Sequence, residues 1–494
     1  MVTTVIAGGG VAGLALALAL GARGHRVRVL EPGGAPPDGP AAKAAGLWHR
    51  PGVPQARHDH ILNALGVRAL RRHAPAVLTA ALDEGARLLD LTRAAPPPAT
   101  ALPGDEDFVT LVVRRPVLDV VLHRAARTTP GVTIRHGVRV TGLTLTPGGP
   151  AGRRVRGVVT DSGERIAADV VVDATGIRSA SRGWLAAAGL PVPDDLAVPG
   201  SLRAYGRFYR LRDPHGPLPG PLNRGNAAGG VWDHYSAVLH PADNGTFAVT
   251  FGALPGDRAL AALATPGGFT AAGRLSPFLA PWLADGVAEP LGPVRVTGMP
   301  PNLWRGDAPG GPHRVGGLLR TGDAAGVTDP MFGRGMSLAL AHAFALAGVI
   351  DGHPAGGPEL DEAAAEVTGR LLRPWYERGA HDSRARVERW RAAAGLPPEP
   401  AASPGDGSVP PPGPGLPPEA AAAAGTDPVV WRGVTRVQTS LSTPAEVLAR
   451  EGFRARLRAA ARTAGPAPDG PRPPTRDELR RALAARRPPE GGTE

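Results

Sequence analysis

The chain has 494 residues, a formal net charge of +11 and a hydrophobic content of 42%, which is enough apolar sequence for two or three domains with buried cores. It contains no cysteine, and this excludes disulfides, thiolate metal sites and a cysteine nucleophile. The basic excess is almost entirely arginine and is spread along the chain, so nucleic-acid binding is not expected. The apolar run of residues 14–20 has no basic stretch before it and is far shorter than the roughly 20 residues that cross a bilayer. We therefore predict a cytoplasmic protein with no membrane span.

A strand–helix–strand unit is predicted at the start of the chain. Hydrophobic patterning indicates a buried strand over residues 2–7, a helix over 11–23 and a second strand over 26–31. Strands that are joined through a helix in this way pair in parallel. Further strands are predicted over 169–175 and 314–322, each ending in a glycine-containing turn. The sequence thus predicts an α/β protein built on a parallel sheet.

The turn between the first strand and helix carries a GxGxxG motif. Gly8 permits the tight turn, Gly10 lets a diphosphate approach the backbone, and Gly13 lets the helix pack closely on the strand. The N–H groups of the first helical turn attract phosphate. Glu31 ends the second strand, where it can accept hydrogen bonds from a ribose and would disfavour the 2′-phosphate of NADP. The unit predicts a dinucleotide site and by itself leaves FAD and NAD open.

The rest of the chain has different hydrophobic patterns and a different composition. Residues 200–300 alternate between apolar and polar side chains, with an Asn-Gly hairpin turn predicted within residues 241–245, so an inserted antiparallel sheet is expected. Residues 359–394 and 443–463 have helical patterning. The Pro/Gly/Ala-rich stretch from 395 to 428 is predicted to be a linker or disordered loop, and the last 30 residues to be loosely held.

The segment TGDAAGVTDPMFGRGMSLALAHAFALA (321–347) resembles the second flavin motif of the group A FAD-dependent monooxygenases, the family of aromatic hydroxylases and squalene epoxidase. The resemblance implies that Asp323 binds the ribityl chain of FAD. A helix N-terminus beside the flavin would stabilise the negative charge of its reduced form. Gly326 stands where many members have a histidine. The resemblance further implies a flavin face formed by Pro330, Phe332, Gly333 and Gly335, with Met336 as an additional cofactor contact.

Two further segments resemble smaller features of that family. DATGIRSASR (173–182) resembles its middle motif, DGxxSxxR, with Thr175 in place of the leading acid. Family members use this motif to contact the flavin and the nicotinamide path, so direct reduction by NADPH is less strongly implied. An ordinary turn at a strand end is the alternative. Arg115 opens a helix after a short strand and is a candidate FAD ligand, with a surface arginine as the alternative.

The stretch GVPQARHDHIL (52–62) resembles a segment of bacterial flavin epoxidases that act in polyether-type polyketide biosynthesis. The resemblance implies that Arg57, His58 and His60 lie near the flavin. The alternative is a capped helix start with solvated histidines. Because no cysteine or third ligand accompanies the His-x-His pair, no metal site is predicted.

Together the motifs imply an α/β protein with a glutathione-reductase-like FAD-binding Rossmann domain, an inserted antiparallel-sheet substrate domain and a C-terminal helical extension. The predicted units are the FAD-binding domain (1–195 and 295–355), the substrate domain (196–294), a helical segment (356–394), a Pro-rich linker (395–428) and a helical or loosely ordered tail (429–494).

The implied function is an FAD-dependent monooxygenase that inserts one oxygen atom from O₂ into an apolar natural product, by hydroxylation or epoxidation through a flavin C4a-hydroperoxide. NAD(P)H would supply electrons directly or through a separate flavin reductase. The alternative is an FAD-dependent reductase, dehydrogenase or saturase acting on a polyene or isoprenoid-like substrate. A flavin-dependent halogenase is disfavoured because no WxWxIP segment is present and Lys43, the one lysine, lacks the expected setting.

Overall fold

The structure, a computed structural model, describes residues 1–53, 58–98, 100–147, 153–305, 315–398, 413, 415–463 and 471–484. Its strands are β1 Thr3–Ala7, β2 Arg26–Glu31, β3 Arg87–Asp90, β4 Val109–Val112, β5 Val132–His136, β6 Val140–Leu145, β7 Val155–Thr160, β8 Arg165–Ala167, β9 Val170–Asp173, β10 Leu196–Val198, β11 Arg203–Leu211, β12 Ala228–Val231, β13 Ser236–Pro241, β14 Thr246–Ala253, β15 Ala288–Pro290, β16 Arg295–Gly298, β17 Asn302–Trp304, β18 Leu318–Arg320 and β19 Gly326–Val327.

The helices are α1 Val11–Gly21, α2 Ala41–Leu47, α3 Ala64–His73, α4 Pro75–Asp83, α5 Arg115–Thr128, α6 Ser181–Ala187, α7 Pro266–Leu275, α8 Gly335–Gly352, α9 Pro358–Ala394, α10 Glu419–Ala424, α11 Pro428–Gln438, α12 Pro444–Ala449, α13 Glu451–Thr463 and α14 Arg476–Ala484.

A parallel sheet in the order β18-β9-β1-β2-β5 forms the centre of the first layer. Helix α1 connects β1 to β2 and packs against α5 and α8. It is apolar on all sides because it is enclosed by the sheet and by these helices. Helix α8 has the length and apolarity of a membrane-crossing helix, yet 61% of it is buried as a core helix against α1, α3 and α9. The predicted strand–helix–strand unit and the α/β fold are confirmed.

A second, antiparallel sheet has the order β12-β13-β14-β11-β15, with β16 also paired to β11. Its outer face packs beneath α7 through aromatic residues such as Phe247 and Phe251. The opposite face carries small side chains where Gly206 pairs with Thr250 and Ser236 pairs with Gly252, and larger ones at Phe208, Val238 and His240. The predicted hairpin is confirmed, and its turn uses left-handed backbone at Asn244 and Gly245. Strand β16 begins at residue 295, one residue past the predicted end of the substrate domain.

The C-terminal region is more ordered than the sequence predicted. Within the predicted linker, α10 buries Ala420 and Ala423 against α11 and α13. The predicted helix at 443–463 is two helices, α12 and α13. Most of the linker, residues 399–412 and 414, lies outside the described residues.

The expectation of a loosely held tail is wrong for the described residues 471–484. Leu479 and Leu483 of α14 are each 1% exposed in the core of the second sheet. Arg476 of α14 binds the carboxylate of Asp257 with both terminal nitrogens, at 2.5 and 2.8 Å. Thr475 and Glu478 cap the helix reciprocally. The T-x-x-E pattern at residues 475–478 is a helix-capping signal. The surrounding prolines and arginines led to the prediction of a loosely held tail instead.

Candidate functional site

The three motif glycines have different structural tasks. A Cβ added at Gly8 would lie 2.4 Å from the carbonyl oxygen of Ala174, and one added at Gly13 would lie 2.0 Å from the carbonyl oxygen of Gly8. A Cβ added at Gly10 would meet no atom within 4 Å among the described residues. Two glycines therefore allow the strand, helix and turn to pack. The third borders open space at the start of α1, where the diphosphate is predicted.

The start of α1 is suited to bind an anion. Within the described part of the chain, no side chain caps the helix and its first turn has no acidic residue. Leu14 is the first residue whose N–H is bonded to a turn carbonyl, that of Gly10. The N–H groups of residues 10–13 can therefore donate to phosphate oxygens, and they lie at the positive end of the helix dipole.

Glu31 lies beside this turn, at the carboxyl end of β2. Its Oε2 accepts the N–H of Gly9 at 2.6 Å and its Oε1 accepts the N–H of Gly33 at 2.9 Å. These two bonds hold the carboxylate in place, and each oxygen keeps a further lone pair for a hydroxyl donor. The geometry fits the predicted ribose contact.

Arg50 is a candidate phosphate ligand that the sequence analysis did not identify. Its side chain is only 8% exposed and stacks on Trp48 at 4.3 Å. Its Nη2 donates to the carbonyl of Gly9 at 3.0 Å, and its Nη1 donates to Asp119 Oδ2 at 2.8 Å. The guanidinium is therefore fixed beside the glycine turn. No periodicity or motif marks this loop residue, since only the packing of α2 and α5 brings it to the turn.

The flavin end is formed where β18 ends, next to β9. The N–H of Thr321 donates to the carbonyl of Asp173 at 2.9 Å and so joins the two strand ends. The following residue pair, Gly322 and Asp323, turns toward α1, and the left-handed Gly322 would place a Cβ 2.8 Å from the Cβ of Ala12. Burial raises the pKa of Asp323, while Arg115 and Arg305 act in the opposite direction. Arg115 therefore lies close enough to Asp323 for their charges to interact.

Arg115 begins α5, as predicted, and contacts one of the two histidines. Its Nη1 lies 3.3 Å from His60 Nε2, while His60 Nδ1 lies 3.0 Å from the carbonyl of His58. This pattern requires His60 to carry its proton on Nδ1 and to accept from Arg115. Burial and then Arg115 lower the pKa of His60 to about 3. The lowered pKa favours the neutral form of His60, and the contacts with Arg115 and the His58 carbonyl favour a structural position over a freely solvated ring. Arg57 lies outside the described residues.

Residues 330–336 form a tight turn that leads into α8. Gly333 has a left-handed backbone and lies against Ile61, and Gly335 borders open space. Among the described residues, no side chain caps α8 and no acid lies in its first turn. Pro330 and Phe332 lie in a single 3₁₀ turn ahead of it. The side chain of Met336 is only 7% exposed in the core against α1, so only its backbone can face a cofactor.

The small-residue face of the second sheet meets this turn. Met331 Sδ lies 3.9 Å from Ser236 Oγ. Farther along the same face, a Cβ at Gly206 would lie 3.2 Å from His58 Nδ1 and 3.5 Å from Thr250 Oγ1. The histidine nitrogen and the threonine oxygen are both buried without a hydrogen-bond partner among the described residues. The face is therefore a candidate substrate surface with two free polar groups.

The middle motif has a structural role in this chain. Asp173 accepts hydrogen bonds from Thr175 and Ser179 and so closes the turn after β9. Arg182 Nη1 binds the Pro193 carbonyl and Asp195, each at 2.6 Å. These contacts favour the ordinary-turn alternative for this segment.

Comparisons with known proteins agree with this geometry. Residues 3–96 match the family model described as DAO, FAD dependent oxidoreductase. A search of curated proteins finds no significant match.

Several solved structures have the same fold. A probable FAD-dependent monooxygenase from Pseudomonas aeruginosa, pqsL, has a TM-score of 0.55 at 17% identity, covering 79% of this chain and 98% of its own. The p-nitrophenol 4-monooxygenase PnpA of Pseudomonas putida DLL-E4 has a TM-score of 0.53 at 20% identity, covering 78% and 89%. A flavoprotein/dehydrogenase from Cytophaga hutchinsonii has a TM-score of 0.59 at 14% identity, covering 94% and 99%. The matched segment contains the whole glycine-rich unit of an FAD-dependent oxidoreductase, and the chain has the fold of the flavin monooxygenases.

Proposed function

We propose that the chain is a monooxygenase that transfers one oxygen atom from O₂ to an apolar natural product by hydroxylation or epoxidation. The observation that supports this most is the position of the predicted flavin turn. Through Met331 the turn contacts a sheet face of small side chains, including Ser236 and Gly252. Small residues on a face opposite a cofactor leave room for a bulky substrate. When bound, FAD would supply the activation of O₂.

The residues of the chain would bind and orient the reactants. The α1 turn, Glu31 and Arg50 would hold the diphosphate and ribose, while Asp323 and Arg115 would hold the ribityl chain. The N–H groups at the start of α8 would stabilise negative charge on the flavin ring. Packing of the second sheet over the turn would exclude water from the reaction.

We further propose that the electrons come from NAD(P)H, used directly or delivered by a separate flavin reductase in the cytoplasm. Two observations support the reductase route. The sequence shows no second strand–GxGxxG–helix unit. Arg182 of the middle motif is bound to Asp195 and the Pro193 carbonyl. A polyether-type polyketide chain is the substrate class that residues 52–62 suggest.

The test uses full-length, FAD-loaded protein with a panel of polyenes and aromatic polyketides under ¹⁸O₂. NADPH is supplied with and without a flavin reductase. We expect a product carrying one ¹⁸O atom. Thr250→Leu should fill the sheet face and lower product formation at least tenfold with the FAD content unchanged. Thr133→Leu, the same change at an exposed position of strand β5, is the matched control and should have no effect.

Two results would contradict the proposal. A product that differs by two hydrogens, carries no ¹⁸O and forms without O₂ consumption would identify the reductase or saturase alternative. Equal effects of the two threonine substitutions would show that the sheet face does not bind substrate.

A further inference from the structure

Arg334 is a buried cation without a hydrogen-bond partner among the described residues. It directly precedes α8 and is 5% exposed. Its Nε and Nη1 atoms are both buried and unpaired within the described part of the chain. The guanidinium carbon lies 4.4 Å from the ring centre of Phe332 and 4.5 Å from that of Trp375. Two aromatic rings therefore hold a charged group whose hydrogen-bonding capacity is unused.

The neighbouring carboxylates do not neutralise this charge. Asp329 is bound by Arg386 at 2.6 Å, and that ion pair is itself buried. Asp382 is bound by Arg378 at 2.8 Å. Neither carboxylate forms an ion pair with Arg334 within 4 Å. Between the turn and α9, two aspartates therefore pair with two of three arginines. The charge of Arg334 is not neutralised by an ion pair with either of them.

An unpaired buried charge is costly, and a bound anion would compensate it. The same burial lowers the pKa of Arg334 to about 10, with Asp382 and Asp329 acting weakly in the opposite direction. The cation–π contacts offset only a part of the lost hydration. The arrangement therefore indicates a function in binding rather than in stability.

The geometry restricts the ligand. Because two rings lie against the guanidinium, a ligand would have to meet it along its edge, where a planar carboxylate could accept two parallel N–H bonds. Arg334 packs with Trp375 on the α9 side of α8, as Leu338 does, whereas Met336 and Leu340 face the core around α1. The predicted FAD path begins on the α1 side of this helix, so a molecule other than FAD fits Arg334 better.

We propose that Arg334 binds a carboxylate of the substrate, so that the substrate is an apolar molecule with one anionic end. Met331, three residues earlier, contacts the small-residue face of the second sheet. The apolar body would lie along that face, and the carboxylate would fix its position relative to the flavin turn. The assignment to the substrate rests on the proposed monooxygenase function, whereas the anion site does not.

The test is calorimetric titration of full-length, oxidised, FAD-loaded protein in chloride-free buffer. The probes are hexanoate, its neutral counterpart hexanamide, and chloride. Wild-type protein should bind hexanoate at least about tenfold more tightly than hexanamide, as expected for hydrogen bonds to a charged group. Arg334→Met should weaken hexanoate binding at least tenfold, and Arg334→Lys should weaken it less because the charge remains without the planar fork. Arg135→Met removes an exposed arginine paired with Glu164 and should change nothing.

Three results would overturn the assignment. These are equal binding of hexanoate and hexanamide by wild-type protein, unchanged hexanoate affinity in Arg334→Met, or chloride binding that depends on Arg334 while hexanoate does not bind. If Arg334→Met does not fold, the lysine variant and the neutral probe still decide. Arg334-dependent hexanoate binding without any ¹⁸O product would refute the proposed function and leave the anion site standing.

Discussion

Gly10→Ala should weaken FAD binding with little effect on the stability of the apoprotein. The added Cβ meets no atom within 4 Å among the described residues, and the backbone of Gly10, at φ −87° and ψ −175°, suits alanine. Restricting the unfolded chain stabilises by about 0.4–1 kcal/mol, and the poorer helix cap costs about the same. The two effects nearly cancel. The methyl group would occupy the space predicted for the diphosphate, so the Kd for FAD should rise at least tenfold, or about 1.4 kcal/mol.

Gly13→Ala provides the contrasting case within the same motif. Its Cβ would lie 2.0 Å from the carbonyl oxygen of Gly8, which is backbone and cannot rotate away. Overpacking of this kind costs up to about 3 kcal/mol. Gly183→Ala, in helix α6, also places a methyl in open space and serves as the control for the added methyl group itself.

The assays are urea unfolding of the apoproteins and fluorescence titration of each with FAD. The reasoning fails if Gly10→Ala lowers the free energy of unfolding as much as Gly13→Ala does. It also fails if Gly10→Ala binds FAD as tightly as the wild-type protein, since the diphosphate would then lie elsewhere.

Three further predictions concern stability. Arg50→Met should leave the buried carboxylate of Asp119 without its closest partner, and it should lower the free energy of unfolding, measured in urea, by about 3 kcal/mol. Adding Asp119→Leu should restore the lost stability. If stability is not restored, the ion-pair explanation is refuted. His342 is fully buried, and burial lowers its pKa to about 3. Below pH 6.5 the unfolded chain therefore binds a proton at this residue that the folded chain does not. The free energy of unfolding should fall by up to about 1.4 kcal/mol per pH unit on acidification. His342→Gln should flatten this slope in urea unfolding between pH 7 and 5, and an unchanged slope would contradict the assignment. Leu479→Ala, at a side chain 1% exposed, should cost about 2–5 kcal/mol in thermal unfolding while leaving the FAD Kd unchanged; a loss of FAD affinity would show that α14 also supports the cofactor site.

The parts of the fold that follow local rules could be predicted from the sequence. The first βαβ unit, the hairpin at residues 241–245 and the start of α5 at Arg115 each have a short-range signal of periodicity or turn chemistry. The tail helix α14 was missed because its two buried leucines are few among arginines and prolines. Its burial depends on a distant partner, Asp257, which the local sequence does not contain.

The site was predictable only where it used a motif. Gly8, Gly10, Gly13 and Glu31 lie within one such unit, and Asp323 lies within the electrostatic influence of Arg115. Arg50 and Arg334 have no motif of their own. The first acquires its position from a buried aspartate on α5, and the second from aromatic rings on the turn and on α9. Contacts between residues far apart in the chain leave no periodic signal.

The order of the parallel sheet has a consequence for how the protein matures. The phosphate turn follows β1, whereas the flavin end follows β18, which among the described strands pairs with β9 at the edge of the sheet. During synthesis the ribosome therefore releases the dinucleotide motif long before the second half of the site exists. A fragment that ends before β18 would contain a correct glycine turn and still lack Asp323. FAD retention should thus report the closure of the whole sheet, and the cofactor is expected to bind among the last events of folding.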